Sequence, residues 1–106
     1  MDRLDRISML QNMLVNEPND VFTNYALALE YVSEADYKKA EDQFLKVLEI
    51  DRKYLPCYYQ LGQLKGKTNE TDIALEFYRK GLELAKEQRN NKAINEINEA
   101  IWMLED

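Results

Sequence analysis

Few residues in this chain of 106 are of the types that do covalent or acid–base chemistry. Histidine is absent, which removes the usual general base near neutral pH, the imidazole metal ligand and the common partner of a serine or cysteine nucleophile. The single thiol, Cys57, has no such partner and reads as a small packing residue on a helix, not a nucleophile. The carboxylates of Glu41, Asp42, Asp72 and Glu76 fall on outer helix surfaces and read as solvated faces. Asn69-Glu70-Thr71 matches the N-glycosylation acceptor pattern, but no secretion signal accompanies it, and it reads as a turn with a helix cap, Asn69 or Thr71. No glycine-rich loop is present to cradle a phosphate. The expectation is no catalytic residue, no cofactor and no metal: not an enzyme.

The elements that carry these residues are helices in a soluble, folded chain. Hydrophobic residues make up 45% and charged residues 32%, a balance that supports one domain with a core. Net charge is -6, acids and bases are interspersed as in Lys38-Lys39-Ala40-Glu41-Asp42, and no basic block exists to neutralise phosphates. Nucleic acid, an RNA-binding groove included, and anionic membrane surfaces are therefore poor partners. The start, MDRLDRISML, mixes both charge signs without the apolar core of a signal peptide, and no apolar run approaches membrane-spanning length. With one cysteine no internal disulfide forms, and a cytoplasmic location is expected. Met1 argues for a natural start, against the alternative of a piece cut from a longer scaffold.

The chain repeats itself. Tyr25 and Tyr59, Leu27 and Leu61, Ala40 and Ala74, Lys46 and Lys80, Leu48 and Leu82, and Glu49 and Glu83 are identical pairs 34 residues apart. Ala28 with Gly62, Phe44 with Tyr78 and Ile50 with Leu84 are conservative pairs in the same register. The first unit carries Leu27-Ala28-x-x-Tyr31 and then Ala40-x-x-x-Phe44; the second carries Tyr58-x-x-Leu61-Gly62 and then Ala74-x-x-x-Tyr78. In period and residues both resemble the tetratricopeptide repeat, W-x-x-L-G-x-x-Y…A-x-x-x-F…P. The resemblance, to a small bacterial-type member with two full repeats, implies an all-α, right-handed α-α superhelix of about six antiparallel helices. Leu27, Ala28, Tyr31, Ala40, Phe44, Leu61, Gly62, Ala74 and Tyr78 fall on its repeat-packing positions.

In chain order, residues 2–19 read as a half repeat: a helix capped by Asp2 with Leu4, Ile7, Leu10, Met13 and Leu14 on its apolar stripe, closed by Pro18. Its usual partner helix is missing, which leaves apolar surface exposed. Repeat 1 spans 21–54, with Asp20 capping the first helix, Ala35-Asp36 as the turn and Asp36 capping the second. Repeat 2 spans 55–88, with Pro56 in the first turn of its first helix. Lys65 stands where the pattern expects tyrosine, and Gly66, about 1 kcal/mol worse than alanine in a helix, predicts a frayed last turn. Ile73, Ala74, Phe77, Tyr78, Gly81, Leu82 and Leu84 form the inner stripe of the second helix. Residues 90–105 form a last helix that resembles a capping helix, with Ala93, Ile94, Ile97, Ala100, Ile101 and Leu104 inward and Trp102 either packed on its neighbour or a contact residue.

One helix is apolar nearly all round. Leu27, Ala28 and Tyr31 explain one face of the stretch Val21–Val32; Phe22, Tyr25, Leu29 and Val32, spaced 3, 4 and 3 apart, form another. A helix apolar on every side is usually covered on every side. In the resembling family the first helices line a concave groove, which implies that this stripe faces it, with Tyr59, Gln63 and Lys67 from the second repeat and Ala93 and Ile97 beyond. Some family members clamp acidic tails with lysine, asparagine and arginine; here those places hold Tyr25, Leu29, Tyr59 and Gln63, so that clamp is absent. The expected partner is a protein or peptide, apolar or mildly basic. The alternative is a self-assembling homodimer whose groove or half repeat is covered by a second chain. The chain's own ends are the third candidate cover.

Overall fold

Four helix starts among the described residues are set by short polar side chains placed one residue before the helix. Asp2 accepts the Asp5 N–H at 2.9 Å, Asp20 the Thr23 N–H at 2.9 Å, Asp36 the Lys39 N–H at 3.3 Å and Asn90 the Ala93 N–H at 3.0 Å. Each satisfies a backbone donor that has no partner inside the helix. The computed structural model of the protein describes residues 2–105, apart from the side chain of Arg3. Among them are six helices: α1 (Arg3–Asn16), α2 (Val21–Ser33), α3 (Tyr37–Ile50), α4 (Leu55–Lys67), α5 (Thr71–Glu87) and α6 (Asn91–Glu105). No described residue lies in a strand, and no helix is long and apolar enough to cross a membrane.

Three of the stops share one geometry. After α2, Ala35 adopts φ 59°, its N–H reaches Val32 O at 2.9 Å and the Asp36 N–H reaches Tyr31 O at 3.0 Å. After α4 and α5 the same pair of bonds closes on Asn69 (φ 61°) and Arg89 (φ 55°). This is the Schellman closure, with a left-handed residue just past the helix, and the residue that completes it begins the next helix. Such turns are too short to do anything but fold one helix back on the last. The second turn corrects two expectations. With Asn69 consumed as the left-handed residue, the position before α5 falls to Glu70, not to Thr71, and Glu70 makes no side-chain cap. Nor is the last turn of α4 frayed at Gly66: the Thr68 N–H bonds Leu64 O at 3.2 Å and the Thr68 hydroxyl bonds Lys65 O at 3.2 Å.

The chain divides into two compact units, Met1–Arg52 and Lys53–Asp106. In the first, α1 packs on α2 and α2 on α3, with Leu27, Ala28, Ala40, Phe44 and Val47 buried. Asn24, only 1% exposed, holds this unit's polar centre. Its amide nitrogen donates to Pro18 O at 3.1 Å and Asp20 O at 2.8 Å, and its oxygen accepts from Gln43 Nε2 at 2.6 Å. A buried amide is tolerated because it is bonded in this way. Arg6 Nε joins α1 to α2 through Glu30 at 2.8 Å. No apolar side chain of α1 is fully buried; Leu4 and Met13, expected to pack, are exposed.

In the second unit α4 packs on α5 and α5 on α6, around Leu55, Ala74, Tyr78, Leu84, Ala85, Ile97 and Ala100. Gly62 lets the Tyr78 ring lie against the α4 backbone: a Cβ there would come within 2.6 Å of the ring's Cζ. Gly81 gives similar room to Tyr58. Gln88 Nε2 ties the end of α5 to Lys53 O at 3.2 Å, and Arg79 reaches Glu105 at 3.4 Å. Ile73 is partly exposed because it lies at the edge of the α5 stripe, and Trp102 is 68% exposed, against the expectation that it packs as a cap. Ile97, read both on the inward stripe of α6 and at the groove, is 1% exposed and belongs to the core with the rest of that stripe.

Candidate functional site

Two helix faces hold the residues expected to bind a partner, one in each unit. On α2 the spacing of Phe22, Tyr25, Leu29 and Val32 follows the helical period and sets them on one stripe, away from buried Leu27 and Ala28. Phe22 is 72% exposed, while Tyr25, Leu29 and Val32 are half-buried. The Tyr25 ring leans on Phe44 with centroids 5.8 Å apart and planes at 55°. Tyr25 therefore has one edge in the core and one outside. Tyr31 is half-buried at another face; Gln11 donates to its hydroxyl at 3.1 Å and Lys39 Nζ lies 5.8 Å from its ring centre.

On α4, Tyr59 repeats the arrangement against Tyr78, at 6.0 Å and 55°. Gln63 and Lys67, a turn apart, line a cavity of about 250 Å³ together with Gly66, Tyr78, Ala100, Met103 and Leu104. Tyr59 does not line it. Glycine at 66 is what leaves this space, since only Leu104 Cδ2, at 3.8 Å, stands near where its Cβ would be. Sequence reasoning missed the contribution of α6: Met103 lies off the inward stripe of that helix, and only its 67% exposure and its place in the cavity wall show its position.

The chemistry on offer is binding chemistry. Gln63 supplies an amide donor and acceptor, Lys67 an ammonium and the rest apolar surface. Where ionisation is perturbed it moves away from neutrality. Hydrogen bonds from the Thr23 hydroxyl and N–H hold the Asp20 carboxyl below the usual range, and the Thr68 hydroxyl with Lys65 does the same for Glu70. Burial, reinforced by nearby Tyr59, pushes the Tyr78 phenol up to about 12. A general acid or base needs the opposite shift, toward the working pH. Cys57 is fully buried on α4. Asn69 is exposed and spends its backbone on the turn. Among the described residues, no group of three or more Cys, Asp or Glu is placed to hold a metal ion.

Comparison with known proteins places this architecture. Two family models described as tetratricopeptide repeat match the chain, one over residues 2–67 and one over residues 55–88. A tetratricopeptide repeat domain protein from Salinibacter ruber, solved in solution, is 35% identical, with 83% of this chain and 89% of that one covered and a TM-score of 0.78. Its crystal structure gives 35% identity, 81% and 97% coverage and a TM-score of 0.75. The TPR2B domain of yeast Sti1, in a complex with pHsp70, covers 93% of this chain and 79% of its own at TM-score 0.86; at 17% identity it shows the fold alone. No curated protein sequence matches the chain.

Proposed function

The chain belongs to the tetratricopeptide repeat family, and from that premise we propose that it is a non-catalytic module that binds a peptide or protein segment through the α2 face (Phe22, Tyr25, Leu29, Val32) and the α4 face (Tyr59, Gln63, Lys67). The family is generally a protein-interaction scaffold without chemistry of its own. We divide the single domain 1–106 into a half repeat (2–19), repeat 1 (21–54), repeat 2 (55–88) and a capping helix (90–105). The observation that carries the reading is Phe22: an aromatic side chain 72% exposed at the end of a stripe whose other members are half-buried. Aromatic side chains fixed on a helix present large contact area at small entropic cost. That the yeast Sti1 domain of the same fold is solved with pHsp70 supports a protein ligand. The partner is apolar or mildly basic, as suits a chain of net charge -6, and the lone cysteine suits the reducing cytoplasm.

The test is to select binders from a random peptide library on the purified chain, then measure them against Phe22→Ser and Gln63→Ala. Binding should fall about tenfold or more for Phe22→Ser with helicity unchanged. Binding unaffected by both variants would remove the reading. A second reading, a homodimeric scaffold, is favoured by Leu4 and Val15, 67% and 79% exposed on α1. Sedimentation over a wide concentration range decides it: a stable dimer moves self-assembly to the front, and a monomer removes it.

A further inference from the structure

The second helix pair departs from the first at two places that come together in space. Gly66 stands 34 residues on from Val32, and Tyr78 stands 34 on from Phe44. Gly66 and Tyr78 both line the cavity of about 250 Å³ in the second unit, with Gln63 from α4 and Ala100, Met103 and Leu104 from α6. One exchange takes a side chain out of the wall, and the other adds a hydroxyl.

That hydroxyl is the group left over. Tyr78 is 3% exposed, its ring laid along α4 so that Cζ lies against Gly62, one turn before Gly66. No described residue hydrogen-bonds its oxygen. Yet no buried side-chain nitrogen or oxygen among the described residues is sealed without a partner, so this oxygen opens to the space beside it. Burial, then nearby Tyr59, raise the phenol's pKa to about 12, so at any ordinary pH it donates as well as accepts. Gln63 is half-buried, and its amide too has no hydrogen bond among the described residues. An occupant that covers both groups without a polar atom of its own strands them. What fits is an apolar body with a neutral polar tip. Ala100, Leu104 and the bare backbone at Gly66 suit a flat ring, and the thioether of Met103, 67% exposed, makes favourable contact with aromatic edges. A phenol tip donates and accepts, as the Tyr78 hydroxyl and the Gln63 amide do; an indole only donates, and phenylalanine or leucine offers nothing. No acid lines the cavity to answer an arginine or lysine, and a carboxylate would lose its water against Ala100 and Leu104.

We propose that this cavity is the selective part of the α4 face and takes a tyrosine side chain of the partner protein, its phenol bonded to the Tyr78 hydroxyl and the Gln63 amide and its ring on Ala100, Met103 and Leu104. The inference rests on the reading of α4 as a binding face and names the side chain that face prefers.

The probes are blocked alanine peptides with a central tyrosine, phenylalanine, leucine or glutamate, and p-cresol, each titrated into the isotopically labelled full chain and followed by amide chemical shifts. The tyrosine peptide should shift Gln63, Gly66, Ala100 and Leu104 and bind about tenfold more tightly than the phenylalanine peptide. Tyr78→Phe should bring that ratio within about twofold, which loss of packing alone would not do, since packing acts on both peptides. Gly66→Leu, whose Cβ meets only Leu104 Cδ2 at 3.8 Å, should stay folded and weaken the tyrosine peptide by about tenfold or more. If circular dichroism shows Gly66→Leu unfolded, the Tyr78→Phe ratio decides alone. Equal binding of the phenylalanine or leucine peptide, tighter binding of the glutamate peptide, or a ratio left intact in Tyr78→Phe would overturn the proposal. So would shifts confined to other residues, or no shift from the tyrosine peptide at about 10 mM. Binding of p-cresol without the tyrosine peptide would give the cavity to free phenols, and concentration-dependent broadening at Gly66 and Leu104 without any probe would give it to a second copy; either overturns it. A library-selected peptide that shifts α2 and α4 with no preference for tyrosine overturns this inference and leaves the binding face standing, whereas selected peptides that shift neither helix remove both.

Discussion

Residues 34 apart in this chain build the same helix pair in two ways. In α2–α3, Tyr25 leans on Phe44 at 5.8 Å and 55°; in α4–α5, Tyr59 leans on Tyr78 at 6.0 Å and 55°. The ring pair is the common part. Around it the solutions diverge. The first pair buries Asn24, bonded to Pro18, Asp20 and Gln43, where the second has Tyr58 and, opposite Gln43, Phe77. At the position of Ala28 the second has Gly62, which admits the bulkier tyrosine at 78. The period fixes a backbone and one aromatic contact, and each pair then completes its core with its own chemistry. One depends on hydrogen bonds, the other on close approach.

That difference predicts where each pair breaks. Gly62→Ala should cost about 3 kcal/mol, because the added methyl lands on the Tyr78 ring and a packed core has no room to yield. Native-state hydrogen exchange should show the loss in α4–α6 and little in α1–α3. Asn24→Ala should cost about 2 kcal/mol in the first unit by stranding Gln43 and the Pro18 carbonyl, while Asp20 O keeps the backbone N–H of residue 24; the same exchange experiment reads it. Ala35→Gly should stabilise the first unit by about 0.5–1 kcal/mol, since Ala35 sits at φ 59° where a Cβ is unwelcome; Asn69→Gly should gain less, because asparagine tolerates that region. A denaturant midpoint measures both.

The last contrast has no effect at neutral pH. Tyr78 has a folded pKa near 12, above the ordinary phenol value of 10. A raised folded value means that the protonated phenol is favoured by folding. Its contribution is whole below pH 10 and is lost as pH rises from there through 12. Phe44, at the equivalent position, has nothing to titrate. Alkaline titration followed by exchange should therefore loosen the second unit first, and Tyr78→Phe should abolish the difference.

Much of this is legible in the residues alone, and the rest is not for definable reasons. The 34-residue pairs reveal the repeat because the two helix pairs share a backbone. Asp2, Asp20 and Asp36 reveal three helix starts because a short carboxylate before an apolar run has one economical use. Glu70 escapes because the left-handed turn at Asn69, set by how α4 ends, decides which residue comes next. Asn24 escapes because its partners are two backbone carbonyls and a residue 19 positions away, none of which leaves a mark in local pattern. The inward stripe of α6 is legible from its spacing, and all six of its members pack on the core, but Trp102 lies off that stripe, where spacing alone does not say whether a side chain is covered. The apolar stripe on α2 is visible as spacing, but whether Phe22 is covered is a matter of three dimensions, and it is 72% exposed.

The central claim, that this repeat protein works by holding a partner on α2 and α4, is tested most directly by amide shift mapping of the labelled chain with a peptide selected against it. The account predicts shifts at Phe22, Tyr25, Leu29, Tyr59, Gln63 and Lys67, lost in Phe22→Ser. Shifts that leave α2 and α4 untouched, with the peptide bound elsewhere, would contradict it.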